Sequence, residues 1–162
     1  MPLALDLAGR RVVAIGGGSV TARRVRDFVA AGAEVVVVAP ELCTELAGLL
    51  GQISWLARRY VAGDLTGAWL VHVATGNEFT DARVAADCED RRIWCVAAGR
   101  AGRGSARVPA RTTLGLPDGS VTLAVTSGDP RRSVAIRDYL AALLPYAPLR
   151  ARRRSLLLKE SA

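Results

Sequence analysis

Three consecutive glycines, Gly16, Gly17 and Gly18, follow directly on a short β-branched run at 11–15 (RVVAI). They precede a stretch at 20–31 (VTARRVRDFVAA) in which Val20, Val25, Phe28 and Val29 recur at helical spacing. Glycines between a strand and a helix form the pattern that seats a diphosphate. Gly16 permits the tight turn. Gly18 lets backbone approach the anion with no Cβ in the way, and the N–H groups of Ser19 and Val20 face it at the positive end of the helix. The third position of the motif, usually Gly or Ala, is Thr21, followed by Ala22. The pattern implies a bound dinucleotide; a purely structural glycine turn is the alternative.

An acidic residue about 20 positions further on normally holds the adenosine ribose. The apolar run at 34–39 (EVVVVA) is ended by Pro40, and Glu41 follows. Pro40 and Glu41 are therefore candidate cofactor contacts, although Glu41 reads equally well as a charge at the start of a helix. Ala74 and Thr75, with Gly76 and Asn77, close a later apolar run and are small enough to let a dinucleotide cross. His72 lies inside that run between Val71 and Val73 and reads as a core residue before a catalyst. Arg23 and Arg24 could meet a phosphate or face solvent, so coenzyme choice between NAD and NADP stays open. No Ser/His/Asp set, P-loop or pair of carboxylates stands out.

The elements that must position these residues alternate. Runs at 11–15, 34–39, 53–57, 69–75 and 93–97 read as strands, and stretches at 20–31, 41–50 and 77–91 as helices, the last with Val84, Ala85 and Cys88 inward. Strand and helix in this rhythm mean βαβ units and a parallel, right-handed Rossmann-type α/β sheet. The texture changes near Gly99. Residues 99–107 (GRAGRGSAR) read as a mobile loop. Runs at 112–116 and 121–126, joined by Pro117-Asp118-Gly119-Ser120, read as a hairpin, and 133–144 as a helix closed by Pro145. The expected organisation is a Rossmann domain over 1–111, a hairpin-and-helix region over 112–145, and a basic tail over 146–162.

Half of the 162 residues are hydrophobic (51%) and only 5% aromatic, so the core must be Val, Leu, Ile and Ala, as suits a parallel sheet under Ala-rich helices. The net charge of +7 implies an anionic partner. Arg100, Arg103, Arg107, Arg111, Arg131 and Arg132 cluster in two loops. Guanidinium forks match carboxylates, so these arginines suggest a polycarboxylate substrate. A phosphate track for nucleic acid fits less well, because there is neither aromatic interleaving nor a recognition helix. Three cysteines without C-x-x-C spacing and a lone histidine suggest no disulfide framework and no metal site. No signal-like or membrane-spanning run is evident, and a soluble cytoplasmic protein is expected.

Five stretches occur in the order found in one known family: LAGRRVVAIGGGSVTARRV, EVVVVAPEL, DLTGAWLVHVATGN, RRIWCV and LAVTSGDPRRSVAIRDYL. Over about residues 5–145 the chain resembles the precorrin-2 dehydrogenase/sirohydrochlorin ferrochelatase module, the N-terminal half of siroheme synthase. The resemblance implies NAD⁺ as hydride acceptor and precorrin-2, an octacarboxylate tetrapyrrole, as donor. It also implies a homodimer interlocked through the hairpin and following helix, and Ser127 as a pocket residue beside Arg100, Arg103, Arg131 and Arg132. The family commonly carries an Asp shortly after the strand matched by Arg92-Ile93-Trp94-Cys95, used in dehydrogenation and metal insertion. That position is Gly99 here, and a glycine can neither move a proton nor hold iron. Ferrochelation is therefore not expected, while hydride transfer draws more on binding and orientation. Asp129 is the nearest replacement acid or base in the sequence. The methyltransferase half of siroheme synthase, and most of the helical third segment of stand-alone members, are not expected in this chain. A non-catalytic relative that binds tetrapyrrole or another polyanion, and an NAD-dependent oxidoreductase of a specialised pathway, are the other readings.

Overall fold

The structure, a computed structural model, describes residues 3–99, 104–116 and 119–144. The chain divides into two compact units, Met1–Val108 and Pro109–Ala162. The expected basic tail at 146–162 lies outside the described residues.

The first unit is a five-stranded parallel sheet. Its strands are β1 (Arg11–Ile15), β2 (Glu34–Val38), β3 (Ser54–Leu56), β4 (Leu70–Val73) and β5 (Trp94–Ala97), in the order β3-β2-β1-β4-β5. Helices α1 (Ser19–Ala30), α2 (Thr44–Ala47) and α3 (Glu78–Asp90) connect them. The strands read as continuous apolar runs because both faces are covered. Side chains alternate between the two faces. Val12, Ala14, Val35, Val37 and Leu70 join Ala22, Val25 and Phe28 of α1 and Leu46 of α2. Val13, Ile15, Val36, Val38, Val71 and Val73 join Val84 and Cys88 of α3. The direction of winding reverses between β1 and β4, whose carboxyl ends lie side by side, and such a switch point opens a crevice.

Several elements are shorter than expected, each for a local reason. β3 spans Ser54–Leu56 because Arg58 N–H turns back to the Leu56 carbonyl at 2.8 Å. The helix expected at 41–50 keeps only Thr44–Ala47, because Cys43 N–H is donated to the Gly17 carbonyl at 2.7 Å and the chain before it folds toward the glycines. β5 begins at Trp94 because Arg92 adopts φ 56° and Ile93 N–H closes the end of α3 on the Cys88 carbonyl. A 3-10 turn at Ala62–Leu65, not anticipated, is pinned by buried Asp64, which accepts from Arg58 Nη1 at 2.8 Å and Val61 N–H at 2.9 Å.

The stretch read as a mobile loop is in part a strap. Ala106 N–H reaches the Cys95 carbonyl at 2.9 Å, and Ser105 Oγ accepts Cys95 N–H at 3.0 Å. These bonds cover the open edge of β5. The approach is close enough that a Cβ on Gly104 would stand 2.5 Å from the Cys95 carbonyl oxygen and 2.8 Å from Ala97 N.

The second unit comprises the antiparallel hairpin β6 (Ala110–Leu116) and β7 (Gly119–Val125), and helix α4 (Pro130–Leu143). The hairpin is longer than expected, since Ala110 pairs with Val125 and Leu116 with Gly119. Gly119 and Ser120, expected in the turn, are strand residues. α4 starts three residues early because Asp129 caps it, accepting Arg131 N–H at 2.7 Å, and Pro130 takes its first position. Two strands and one helix cannot bury their own apolar face. Val121, Val134, Tyr139, Leu140 and Leu143 are exposed, and Leu123, Leu140, Leu143 and Leu144 line an apolar groove of about 260 Å³. Among the described residues no helix is long and apolar enough to cross a membrane.

Gly104→Ala forces the strap off β5. We expect a loss of about 1–3 kcal/mol, read as a fall of several degrees in the thermal unfolding midpoint. An unchanged midpoint would show that the strap contributes nothing.

Candidate dinucleotide-binding site

The three glycines do three different jobs. Gly16 has φ 121°, and a Cβ there would stand 2.3 Å from the Ala74 carbonyl oxygen. Gly17 is pressed from the other side, where a Cβ would collide with the Glu41 carbonyl oxygen. Gly16 N–H continues the sheet to the Val38 carbonyl at 3.0 Å, and Ala74 N–H does so to Ile15 at 2.9 Å. These two glycines therefore lock the ends of β1, β2 and β4 together. Gly18 differs: no protein atom lies within 4 Å of a Cβ built on it.

Gly18 is also the N-cap of α1, and no side chain caps that helix. α3 and α4, in contrast, are capped by Asn77 and Asp129. No acid stands in the first turn of α1. Its leading N–H groups are left for an external acceptor, at the end of the helix where the dipole favours an anion. Thr21 and Ala22 are buried against the sheet, the Thr21 hydroxyl without a partner. The motif's third position thus packs closely despite not being Gly or Ala.

In front of this turn lies a crevice of about 680 Å³, lined by Gly17, Gly18, Ser19 and Val20 from the loop and α1, by Ala74, Thr75, Gly76, Glu78 and Asp81 from the end of β4 and the start of α3, and by Ala97, Ala98 and Gly99 after β5. An open Gly18, an uncapped helix start and small residues on the far wall fit a dinucleotide laid across the switch point. Such a nucleotide, when bound, supplies hydride chemistry; the chain supplies the seat.

Of the residues expected here, Gly17, Gly18, Ser19, Val20, Ala74 and Thr75 line the crevice, and Gly16 lies buried beneath it. Pro40 and Glu41 are exposed beyond β2 and outside this lining. Glu41 is not a helix-start charge, because α2 begins only at Thr44 and the acid of its first turn is Glu45. Arg100 and Arg103 lie outside the described residues. Ser127, Arg131 and Arg132 come together at the start of α4 in the second unit. There the Ser127 hydroxyl lies 2.8 Å from Ser133 Oγ, and both arginines are exposed. The Asp129 carboxylate, considered as an acid or base, is occupied as the cap of α4.

Residues missed in the sequence are Glu78 and Asp81. Asp81 Oδ1 accepts both Thr75 N–H, at 3.1 Å, and the Thr75 hydroxyl, at 2.5 Å. An acid in the first turn of a helix ordinarily reads as a partner of the dipole, so its turn toward the strand end carried no sequence signal.

His72 is in the core, edge-on to Phe28 with ring centroids 6.4 Å apart. Neither ring nitrogen has a hydrogen-bond partner of good geometry. Burial, seconded by the charge of Arg24, pushes its pKa down to about 4, against a smaller opposing effect of the Val96 backbone. The ring is thus neutral and takes no part in the crevice.

The fold and the glycine turn define a pyridine-dinucleotide-binding domain. Residues 3–110 match the family described as "Putative NAD(P)-binding", and the chain belongs to that family. It is similar to siroheme synthase 3 of Aeromonas hydrophila subsp. hydrophila, 35% identical over 149 residues, covering 90% of this chain and 31% of that protein. It is also similar to the siroheme synthase of Ectopseudomonas mendocina, 42% identical over 93 residues, covering 57% of this chain and 20% of that protein. Among solved structures it resembles SirC, precorrin-2 dehydrogenase, with a TM-score of 0.71 and 25% identity over 88% of this chain and 70% of that one. The family resemblance read from the five sequence blocks is borne out. The chain spans about a third (31%) of the length of the Aeromonas hydrophila siroheme synthase 3.

Two outcomes follow. Gly18→Val should leave the fold intact yet weaken NAD⁺ binding at least tenfold by titration calorimetry, because the side chain enters the space of the diphosphate; undiminished affinity would move the ligand elsewhere. For His72 the folded pKa lies below the unfolded value of about 6.5. Its contribution is complete above that value and is lost as pH falls toward about 4. Between pH 6.5 and 5 the loss is on the order of 2 kcal/mol. His72→Leu should flatten the unfolding midpoint over this interval, and an unaltered slope would assign the pH dependence to other groups.

Proposed function

We propose that this chain is an NAD-dependent dehydrogenase that oxidises precorrin-2 to sirohydrochlorin in siroheme biosynthesis. The observation that carries the reading is the crevice, a dinucleotide seat of the right size at the switch point, in a chain similar to siroheme synthases and to a precorrin-2 dehydrogenase. Binding and orientation are what the protein must provide for hydride transfer. Glycines and an uncapped helix hold the diphosphate, and small residues at 74–76 and 97–99 leave room for the reacting ring and its partner.

Ser127, Arg131 and Arg132 are proposed as carboxylate-binding residues of the second unit, since exposed guanidinium groups at a helix start suit a polyanion. Arg100 and Arg103 carry the same expectation from the sequence. A second copy of the chain is the proposed cover of the apolar face formed by Leu123, Leu140, Leu143 and Leu144. A cytoplasmic location is proposed, and the free cysteines support it.

Position 99 can neither take up a proton nor hold iron, so the proposal is for dehydrogenation without ferrochelation. Gly99 has φ 110°, a conformation that an L side chain rarely adopts, so the backbone itself has settled into a glycine-only shape there.

Purified protein supplied with NAD⁺ and precorrin-2 should form NADH and sirohydrochlorin and should sediment as a dimer. No NADH above a heat-killed control removes the dehydrogenase reading. Tetrapyrrole binding without NADH would favour the non-catalytic relative that Gly99 suggests.

A further inference from the structure

The chain carries a net charge of +7, yet among the described residues the titratable side chains lining its crevice are both acids, Glu78 and Asp81. Glu78 is exposed. Asp81 is half-buried and fixed. Its Oδ1 takes two donors from Thr75, and Thr75 Oγ1 in turn accepts Asn77 N–H at 3.1 Å. Oδ2 has no hydrogen-bond partner, and no arginine pairs with the carboxylate among the described residues. Among the described residues, a fixed negative charge with no paired cation therefore faces the crevice. The Thr75 bonds use only one of its two oxygens.

Its place in the sheet order says what it would meet. With the diphosphate on the start of α1, the adenosine half extends toward β2 and the nicotinamide riboside toward β4 and β5. Asp81 is on the β4–β5 side. The two redox forms of the nucleotide share every charged group except one, the positive charge of the oxidised nicotinamide ring.

We propose that Asp81 is a specificity-determining residue that favours the oxidised, cationic pyridine nucleotide over the reduced one. The inference rests on the dinucleotide reading of the crevice and adds a direction to it. The carboxylate attracts the ring before hydride transfer and loses that attraction afterwards, so the reduced nucleotide leaves more readily and competes less with the oxidised one, while the overall equilibrium of the reaction is unchanged. Opposite charges in a partly exposed site alter an equilibrium constant by about five- to tenfold.

The test is titration calorimetry of NAD⁺ and NADH, separately, on wild type and Asp81→Asn. Asparagine keeps an oxygen for both Thr75 donors and removes the charge, so the unfolding midpoint serves as the check on folding. The ratio Kd(NADH)/Kd(NAD⁺) is expected to fall by about five- to tenfold in the variant, mainly through weaker NAD⁺ binding. Both nucleotides binding with an unchanged ratio overturns the role of Asp81 and leaves the crevice reading standing. Neither nucleotide binding to wild type overturns both. A second measurement needs no variant. In wild type the ratio should shrink as salt rises, because the ring charge is screened while the diphosphate contributes equally to both forms. A ratio indifferent to salt overturns the proposal.

Discussion

Backbone approaches backbone after β1 at distances that exclude any side chain. At Gly16 the obstacle would be the Ala74 carbonyl at the end of β4, and at Gly17 the Glu41 carbonyl beyond β2. Because nothing occupies those positions, three strand ends meet within hydrogen-bond reach, Gly16 bonding to Val38, Ala74 to Ile15, and Cys43 to Gly17. The remaining glycine and the uncapped start of α1 are thereby held at the mouth of the switch point. The crevice depends on this contact, since a single Cβ at either position would separate the strands that form its walls.

Charge is distributed unevenly around that contact. Arginine supplies nearly all of the positive charge, while the crevice holds Glu78 and Asp81. A diphosphate seat made of backbone N–H groups and a helix dipole needs no cationic side chain. That frees the far wall to carry acids without cancelling the affinity for an anion. Gly99, on the same wall, adds no side chain to it. What remains is a site suited to holding a dinucleotide, which supplies the hydride chemistry when bound.

The second unit behaves as a small element that lacks a core of its own. Its hairpin is secured by a continuous ladder and by the Thr113–Thr122 pair, whose hydroxyls lie 3.0 Å apart, and its helix by a cap and a proline. Yet Leu140 and Leu143 remain exposed. Local devices decide its secondary structure, and the apolar face is left for something else to cover.

Much of this was determined by sequence alone, wherever the deciding physics is local. A glycine run between a β-branched stretch and a helical period specifies strand, turn and helix start, because φ and the missing Cβ act within a few residues. The alternation of apolar runs with helical periods specifies a parallel sheet, because strands buried on both faces read as near-continuous apolar runs. What tertiary structure decided is what depends on groups far apart in the chain. Gly17 proved structural only once the loop at Glu41 folded over it. Gly104 and Ser105, composed like a free loop, became the edge cover of β5. Asp81, spaced like an ordinary first-turn acid, turned back to Thr75 and into the crevice. His72 ended without a partner because the core around it offers apolar contact and little else. Composition and periodicity say which face a residue takes; which distant backbone group it meets there is settled only when the strands close.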